Sequence, residues 1–144
     1  MADQHYGNHA RYVPLFHFVT LPLILMAIIA AVVNLIQNWA DPHLHLSAAL
    51  IFILSLVAGL LSWFARSFAL KAQDRAIRAE EGLRHFILTG KRMDTRLRLS
   101  QIIALRFAPD EEFIELVQRA VDEKLPAKEI KRAIEKWRKD HHRV

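Results

Sequence analysis

From Tyr12 to Ala40, 29 consecutive residues, the chain holds no Asp, Glu, Lys or Arg. After Asp41 the next such residue is Arg66, so residues 42–65 form a second charge-free run of 24. A bilayer core of roughly 30 Å needs about 20 apolar helical residues, and each run is long enough. A soluble helix of this length would need charge on its wet face. The two runs therefore predict two membrane-spanning helices. The apolar stretch Leu15–Ile36 exceeds the roughly 7–15 residue core of a signal peptide, so the first span is expected to be a retained anchor.

Positive charge sets the orientation. Of the 20 Lys and Arg residues, one (Arg11) precedes the first span, none lies in the connection, and 19 follow the second. Lys and Arg resist translocation, so both termini are expected inside and residues 38–46 outside. Tyr12, Phe16 and Phe18 mark the inner end of the first span, Trp39 its outer end, and Trp63 and Phe64 the inner end of the second. Aromatic rings favour this headgroup level.

Asn38, Asp41 and Pro42 supply turn chemistry between the spans, and a connection of about nine residues makes them antiparallel neighbours. Ala27 and Ala31, with Ser55 and Gly59, offer small residues for close approach. Pro22 removes one backbone donor from the first span. The spans contain no mid-membrane carboxylate or Lys, which argues against a proton relay or a transport path.

The second span is expected to continue past the membrane. No Pro and only two glycines interrupt residues 47–89, and Gly90 is a good helix stop. The outer part carries Ala69, Ala72, Ala76, Ala79, Leu83 and Phe86 at alternating spacings of three and four, a close-packing seam in need of a partner helix. Three shorter helices follow. Asp94 or Thr95 is expected to cap the first, with Leu99, Ile102, Ile103 and Leu105 apolar. Pro109-Asp110-Glu111-Glu112 opens the second, acids at its positive end, with Phe113, Val117, Ala120 and Val121 inward. Leu125-Pro126 separates it from the third, where Ile130, Ala133, Ile134 and Trp137 follow helical spacing.

The expected fold class is thus all-α: a transmembrane helical hairpin whose second span extends into a small cytoplasmic helical bundle. The segments are 1–12 cytoplasmic, 13–37 first span, 38–46 outer loop, 47–68 second span, 69–90 helical extension and 91–144 a domain of three short helices.

Charge divides the cytoplasmic half. Residues 66–106 hold ten basic and four acidic residues, a net of +6, while residues 107–144 hold nine of each. Arg66, Lys71, Arg75 and Arg78 are the candidate contacts to anionic lipid headgroups. Ala72, Ala76, Leu83, Arg106 and Trp137 are the candidate docking or interhelix residues. Arg106, set between Leu105 and Phe107, is expected to pair with Glu111 or Glu112. A basic surface interleaved with stacking groups is lacking, so no nucleic-acid partner is expected.

No Gly-rich phosphate loop, GxSxG or HExxH motif occurs, and there is no cysteine. The histidines (His5 and His9, His43 and His45, His141 and His142 among them) read as solvated or interfacial, and Asp110 to Glu112 with Glu115 as solvated helix-start acids. No catalytic residue, metal, cofactor or small-molecule substrate is expected. Two functions compete: a non-catalytic scaffold or accessory subunit that docks a membrane-complex partner or a second copy, and a membrane-surface regulator that binds anionic lipid.

Several segments resemble a family of small bacterial integral membrane proteins whose name records only a domain of unknown function. They are Ala72-Gln73-Asp74-Arg75-Ala76-Ile77-Arg78, Ala104-Leu105-Arg106-Phe107-Ala108 before Asp110-Glu111-Glu112, Glu129-Ile130-Lys131 with Ile134 and Trp137, and the closing Asp140-His141-His142-Arg143-Val144. Phe16-His17-Phe18 fits as well. The likeness covers nearly the whole chain. It implies the two-span topology and a bacterial inner-membrane setting, and no activity.

Overall fold

Helix start and stop chemistry is visible along the chain in a computed structural model that describes residues 12–139. A π-helical segment, Leu15–Thr20, leads into α1, Leu21–Gln37. Then come α2 (Pro42–Thr89), α3 (Leu99–Leu105), α4 (Asp110–Asp122) and α5 (Ala127–Ala133). No strand occurs among the described residues. The helices fall into two compact units, one from Tyr12 to Ala69 and one from Leu70 onward.

The π segment sits just ahead of Pro22. Proline has no N–H to donate, and its ring crowds the carbonyl four residues back. Here the turn before it widens: the Leu21 N–H donates to Phe16 O, five residues back, and Thr20 Oγ1 donates to Leu15 O at 3.1 Å. A π turn is a known way of accommodating such a disturbance inside a helix.

Asp41 caps α2. Its Oδ1 accepts from His43 N at 2.8 Å and Leu44 N at 3.3 Å, and Pro42 fills the first helical position, where no N–H is needed. The connection is therefore residues 38–41, shorter than the nine residues expected, because α2 starts at Pro42, five residues before Ser47. Asn38 closes α1 by donating from Nδ2 to Asn34 O at 2.9 Å. Trp39 and His45 stack edge-on with centroids 4.8 Å apart.

In the first unit the less exposed positions include Ile24, Ile28, Ala31 and Leu35 on α1 and Asn38, the residue that closes it. On α2 they include His45, Ala48, Phe52, Ser55, Gly59, Ser62 and Arg66. Both sets step by three and four, as in helix pairs that interdigitate. Ala31 is 2% exposed and Ala48 1%. A Cβ on Gly59 would meet Ile24 Cγ2 at 3.6 Å and Ile28 Cδ1 at 3.8 Å. Ala31, Ser55 and Gly59 thus occupy the packed face as expected. Ala27 does not: it is exposed, one residue out of phase with Ile28, and Ala48 takes part instead. Leu15–Gln37 and Pro42–Thr89 are both long and apolar enough to cross a membrane, and only 6% of each apolar window is buried.

α2 runs for 48 residues without a break. Gly90, at φ 69°, ends it in the left-handed conformation that glycine adopts without strain, and its N–H returns to Phe86 O at 2.8 Å.

The core of the second unit is built from Ile102, Leu105, Phe107, Phe113, Val117, Ile130 and Ile134 among others, with Phe107, Phe113, Leu105 and Ile130 fully enclosed. The apolar face expected on α4 is the buried one. Two expectations fail. The cap of α3 is neither Asp94 nor Thr95: the helix starts after Arg98, whose N–H donates to Gln101 Oε1 at 2.7 Å. Gln101 is itself buried and donates from Nε2 to Ala120 O at 3.1 Å and Leu125 O at 2.8 Å, tying α3 to α4 and its exit. The third helix does not reach Trp137. It ends at Ala133, because Ile134 turns extended (ψ 119°) and the tail that follows buries Ile134 and lays Trp137 on Phe107, centroids 5.0 Å apart. Tertiary packing overrides the helical spacing there.

Asp94 instead closes the turn before α3. Its carboxylate takes Arg96 N at 2.8 Å and Arg96 Nη2 at 2.7 Å, and these hydrogen bonds hold its pKa below the ordinary 3.8. A carboxyl lowered in this way stabilises the turn above the unfolded value and loses that contribution as pH falls through the folded one. Arg96→Ala should raise the Asp94 titration midpoint towards 3.8, read by NMR of the carboxyl carbon. Phe113→Ala should lower stability by about 3–5 kcal/mol in urea unfolding followed by circular dichroism. The exposed Ile87→Ala should stay within about 0.5 kcal/mol of wild type.

Candidate functional site

Within the second unit, α2 presents its Ile77, Glu81 and Arg84 side to the other elements. Arg84 is the centre of that contact. Its Nε lies 2.6 Å from Asp110 Oδ1, its Nη1 3.0 Å from Glu81 Oε2, and its Nη2 donates to Ala108 O at 2.8 Å. The guanidinium also sits over the Phe113 ring, 4.2 Å from the centroid. One planar donor fork thus joins α2, the 106–109 corner and the first residue of α4. The Glu81 side chain is only 7% exposed, and Arg138 Nη1 approaches its other oxygen at 3.7 Å. Two guanidinium groups face two carboxylates, so the cluster is neutral and the buried carboxylate is compensated.

The tail is fastened beside it. Arg138 N donates to Phe107 O at 2.7 Å. Glu112 accepts Glu135 N at 3.0 Å and Lys136 N at 2.9 Å, one on each carboxylate oxygen. The acids that open α4 were expected to be solvated caps, with Arg106 pairing to Glu111 or Glu112. Instead Asp110 takes Arg84, and Glu112 holds the tail, whose unwinding leaves backbone N–H groups that need acceptors. Arg106 is buried, with its guanidinium 4.7 Å from the Phe107 ring.

These walls enclose an open groove of about 720 Å³. Leu83, Ile87, Leu88, Pro109 and Trp137 line it as apolar surface, and Glu80, Glu111, Lys136 and Arg138 edge it with mixed charge. A smaller pocket of about 270 Å³ adjoins it, sharing Glu80, Glu81 and Arg138 and adding Ala76, Ile77, Arg106 and Lys139. Such a surface can seat an apolar segment while its rim fixes orientation. Among the described residues no three His, Asp or Glu side chains are arranged to hold a metal ion. His5, His9, His141 and His142 lie outside the described residues.

The docking candidates thus divide. Leu83 and Trp137 meet in the groove, Ala76 and Arg106 in the smaller pocket, and Ala72 lies exposed on α2 away from both. The lipid candidates Lys71, Arg75 and Arg78 are exposed on α2, whereas Arg66 is half-buried, 5.8 Å from the Phe16 ring centroid. Sequence reasoning missed Glu81, Arg84 and Asp110 as a unit. The spacing of Glu81 and Arg84, three apart on a helix, is the available signal; by composition Arg84 is one of the 19 basic residues that follow the second span.

Arg84→Met should strand the buried Glu81 carboxylate and loosen the corner, lowering stability by about 3 kcal/mol or more in urea unfolding. Arg78→Met, at an exposed position, should change it by no more than about 0.5 kcal/mol.

Comparison with curated proteins finds no match, and comparison with solved structures finds none. The family model described as a family of unknown function, DUF6526, matches residues 1–144, the whole chain. The resemblance noted in the helical segments therefore holds, and this all-helical chain belongs to the DUF6526 family.

Proposed function

We propose that this protein is a non-catalytic, two-span protein of the bacterial inner membrane, a scaffold or accessory subunit whose cytoplasmic helical unit docks partners. The membrane reading rests on two apolar helices whose side chains stay uncovered: Leu25, Ile29, Ile53, Leu54, Leu60 and Leu61 are all exposed. In water such a surface would drive aggregation; in lipid it needs no cover. The excess of Lys and Arg after the second span supports termini inside and residues 38–41 outside.

The observation that carries the docking reading is the groove beside Arg84. Its charged groups at the floor are already paired with one another, so they serve as rigid walls, while Leu83, Ile87 and Trp137 remain as apolar anchors. Interfaces are anchored in this way, by a few large apolar side chains inside a polar rim.

A second reading has its own support. Lys71, Arg75 and Arg78 are spaced four and three apart, so they share one face of α2 close to the apolar run. That stripe suits anionic headgroups, at about 1 kcal/mol per well-placed cation.

Topology is checked by single cysteines in intact cells. His43→Cys should react with a membrane-impermeant maleimide from outside, and Lys128→Cys should not; the reverse pattern would sink the orientation. For docking, full-length protein is purified from native membranes with and without Ile87→Asp. Co-purifying protein should be retained by the wild type and lost from the variant. For the lipid reading, the full-length protein in nanodiscs should melt higher with anionic than with neutral lipid. K71Q/R75Q/R78Q should remove that difference.

A further inference from the structure

α2 leaves a second face uncovered, opposite the one that carries the fold. Ile77, Glu81, Arg84 and Leu88 face the second unit's core and groove. Ala72, Ala76, Ala79, Leu83 and Phe86 lie, at about 100° per residue, roughly 150° around the helix from them. Ala72, Ala76 and Ala79 are all exposed. The large side chains at the far end are uncovered too: Leu83 is 60% exposed, Phe86 51% and the neighbouring Ile87 71%. The face steps by four and three, which places these residues at the a and d positions of a two-helix seam.

We propose that this face is a self-association seam, on which α2 of a second copy packs in parallel. Charge on the flanks selects the occupant. In the same frame Arg75 falls at g and Glu80 at e, and both are exposed. In a parallel pair each g residue faces the e residue five positions on in the partner helix, so Arg75 of each copy meets Glu80 of the other, twice by symmetry. A symmetrical antiparallel pair would set e beside e and g beside g, like charge against like. The small residues nearer the apolar run let the backbones approach closely, and Leu83, Phe86 and Ile87 widen the contact beyond it. The common direction of the two helices rests on the membrane reading above, since two copies with the same topology send α2 out on the same side. Leu83 and Ile87 also line the groove, so the seam takes one edge of it and leaves the walls at Arg84, Pro109 and Trp137 uncovered.

The chain has no cysteine, so single cysteines report cleanly. Full-length Ala76→Cys, Ala79→Cys and, off the seam, Arg78→Cys are expressed, and native membranes are oxidised with copper–phenanthroline. The two seam variants should give a disulfide dimer several-fold more readily than Arg78→Cys. In the Ala79→Cys background, Arg75→Glu and Glu80→Arg should each reduce the dimer several-fold, and the double reversal should restore it. Equal cross-linking at all three sites, no dimer, or charge reversals without rescue would overturn the seam. An alkaline carbonate wash of the same membranes separates the two readings. Protein that is retained but lacks the seam-specific pattern overturns the dimer alone. Release of the protein overturns the membrane reading, and with it the argument for a parallel pair.

Discussion

The Arg84 guanidinium joins parts of the second unit that have little else in common. It reaches a carboxylate on its own helix, a backbone carbonyl at a buried corner, the first residue of α4 and the face of a core aromatic. Each contact alone is modest. Together they fix the angle at which the 106–113 corner meets α2, and Phe107, Phe113 and Trp137 then find their places. A cation with 12% of its side chain exposed is stable there because each guanidinium nitrogen has an acceptor. The groove inherits its rigidity from the same pairing: its charged walls hold one another.

The extended helix has two distinct faces beyond the apolar run. One is consumed by the fold, through Ile77, Glu81 and Arg84. The other offers Ala72, Ala76, Ala79, Leu83 and Phe86. The division is possible because α2 continues without a break to Gly90, so a single rigid rod holds both faces in a fixed relation. Arg75 and Glu80 flank the outer face, and Lys71, Arg75 and Arg78 share a stripe beside it. The proposed docking and lipid roles therefore call on neighbouring parts of one helix, and Arg75 belongs to both proposals.

Much of the helical layout was legible beforehand. The charge-free runs, the stop at Gly90, the acidic start of α4 and its buried face all follow from local rules that act within one or two turns. The failures have a common cause. Trp137 was placed on a helix by spacing, yet the chain unwinds after Ala133 because Glu112, 23 residues away from Glu135, supplies the acceptor for the released backbone. Gln101, which no local signal singles out, is buried because Ala120 and Leu125 bring their carbonyls to it. Ala27 looked equivalent to Ala31, but the packing phase of the helix pair chose Ile28 and Ala48.

By itself the sequence determined which segments are helical, how long the apolar helices are, and where the positive charge collects. Those properties depend on composition and periodicity, which need no neighbour. Only the tertiary structure decided what the charges do. Arg84, one of many basic residues in the sequence, becomes the tie between elements, whereas Arg75 and Arg78 stay at the surface. The Ala-rich face stays open because the core chose the side of α2 marked by Ile77 and Glu81. The physical reason is that burial and ion pairing are settled by which surfaces meet, and residues such as Arg84 and Asp110, 26 positions apart, meet only once the chain has folded.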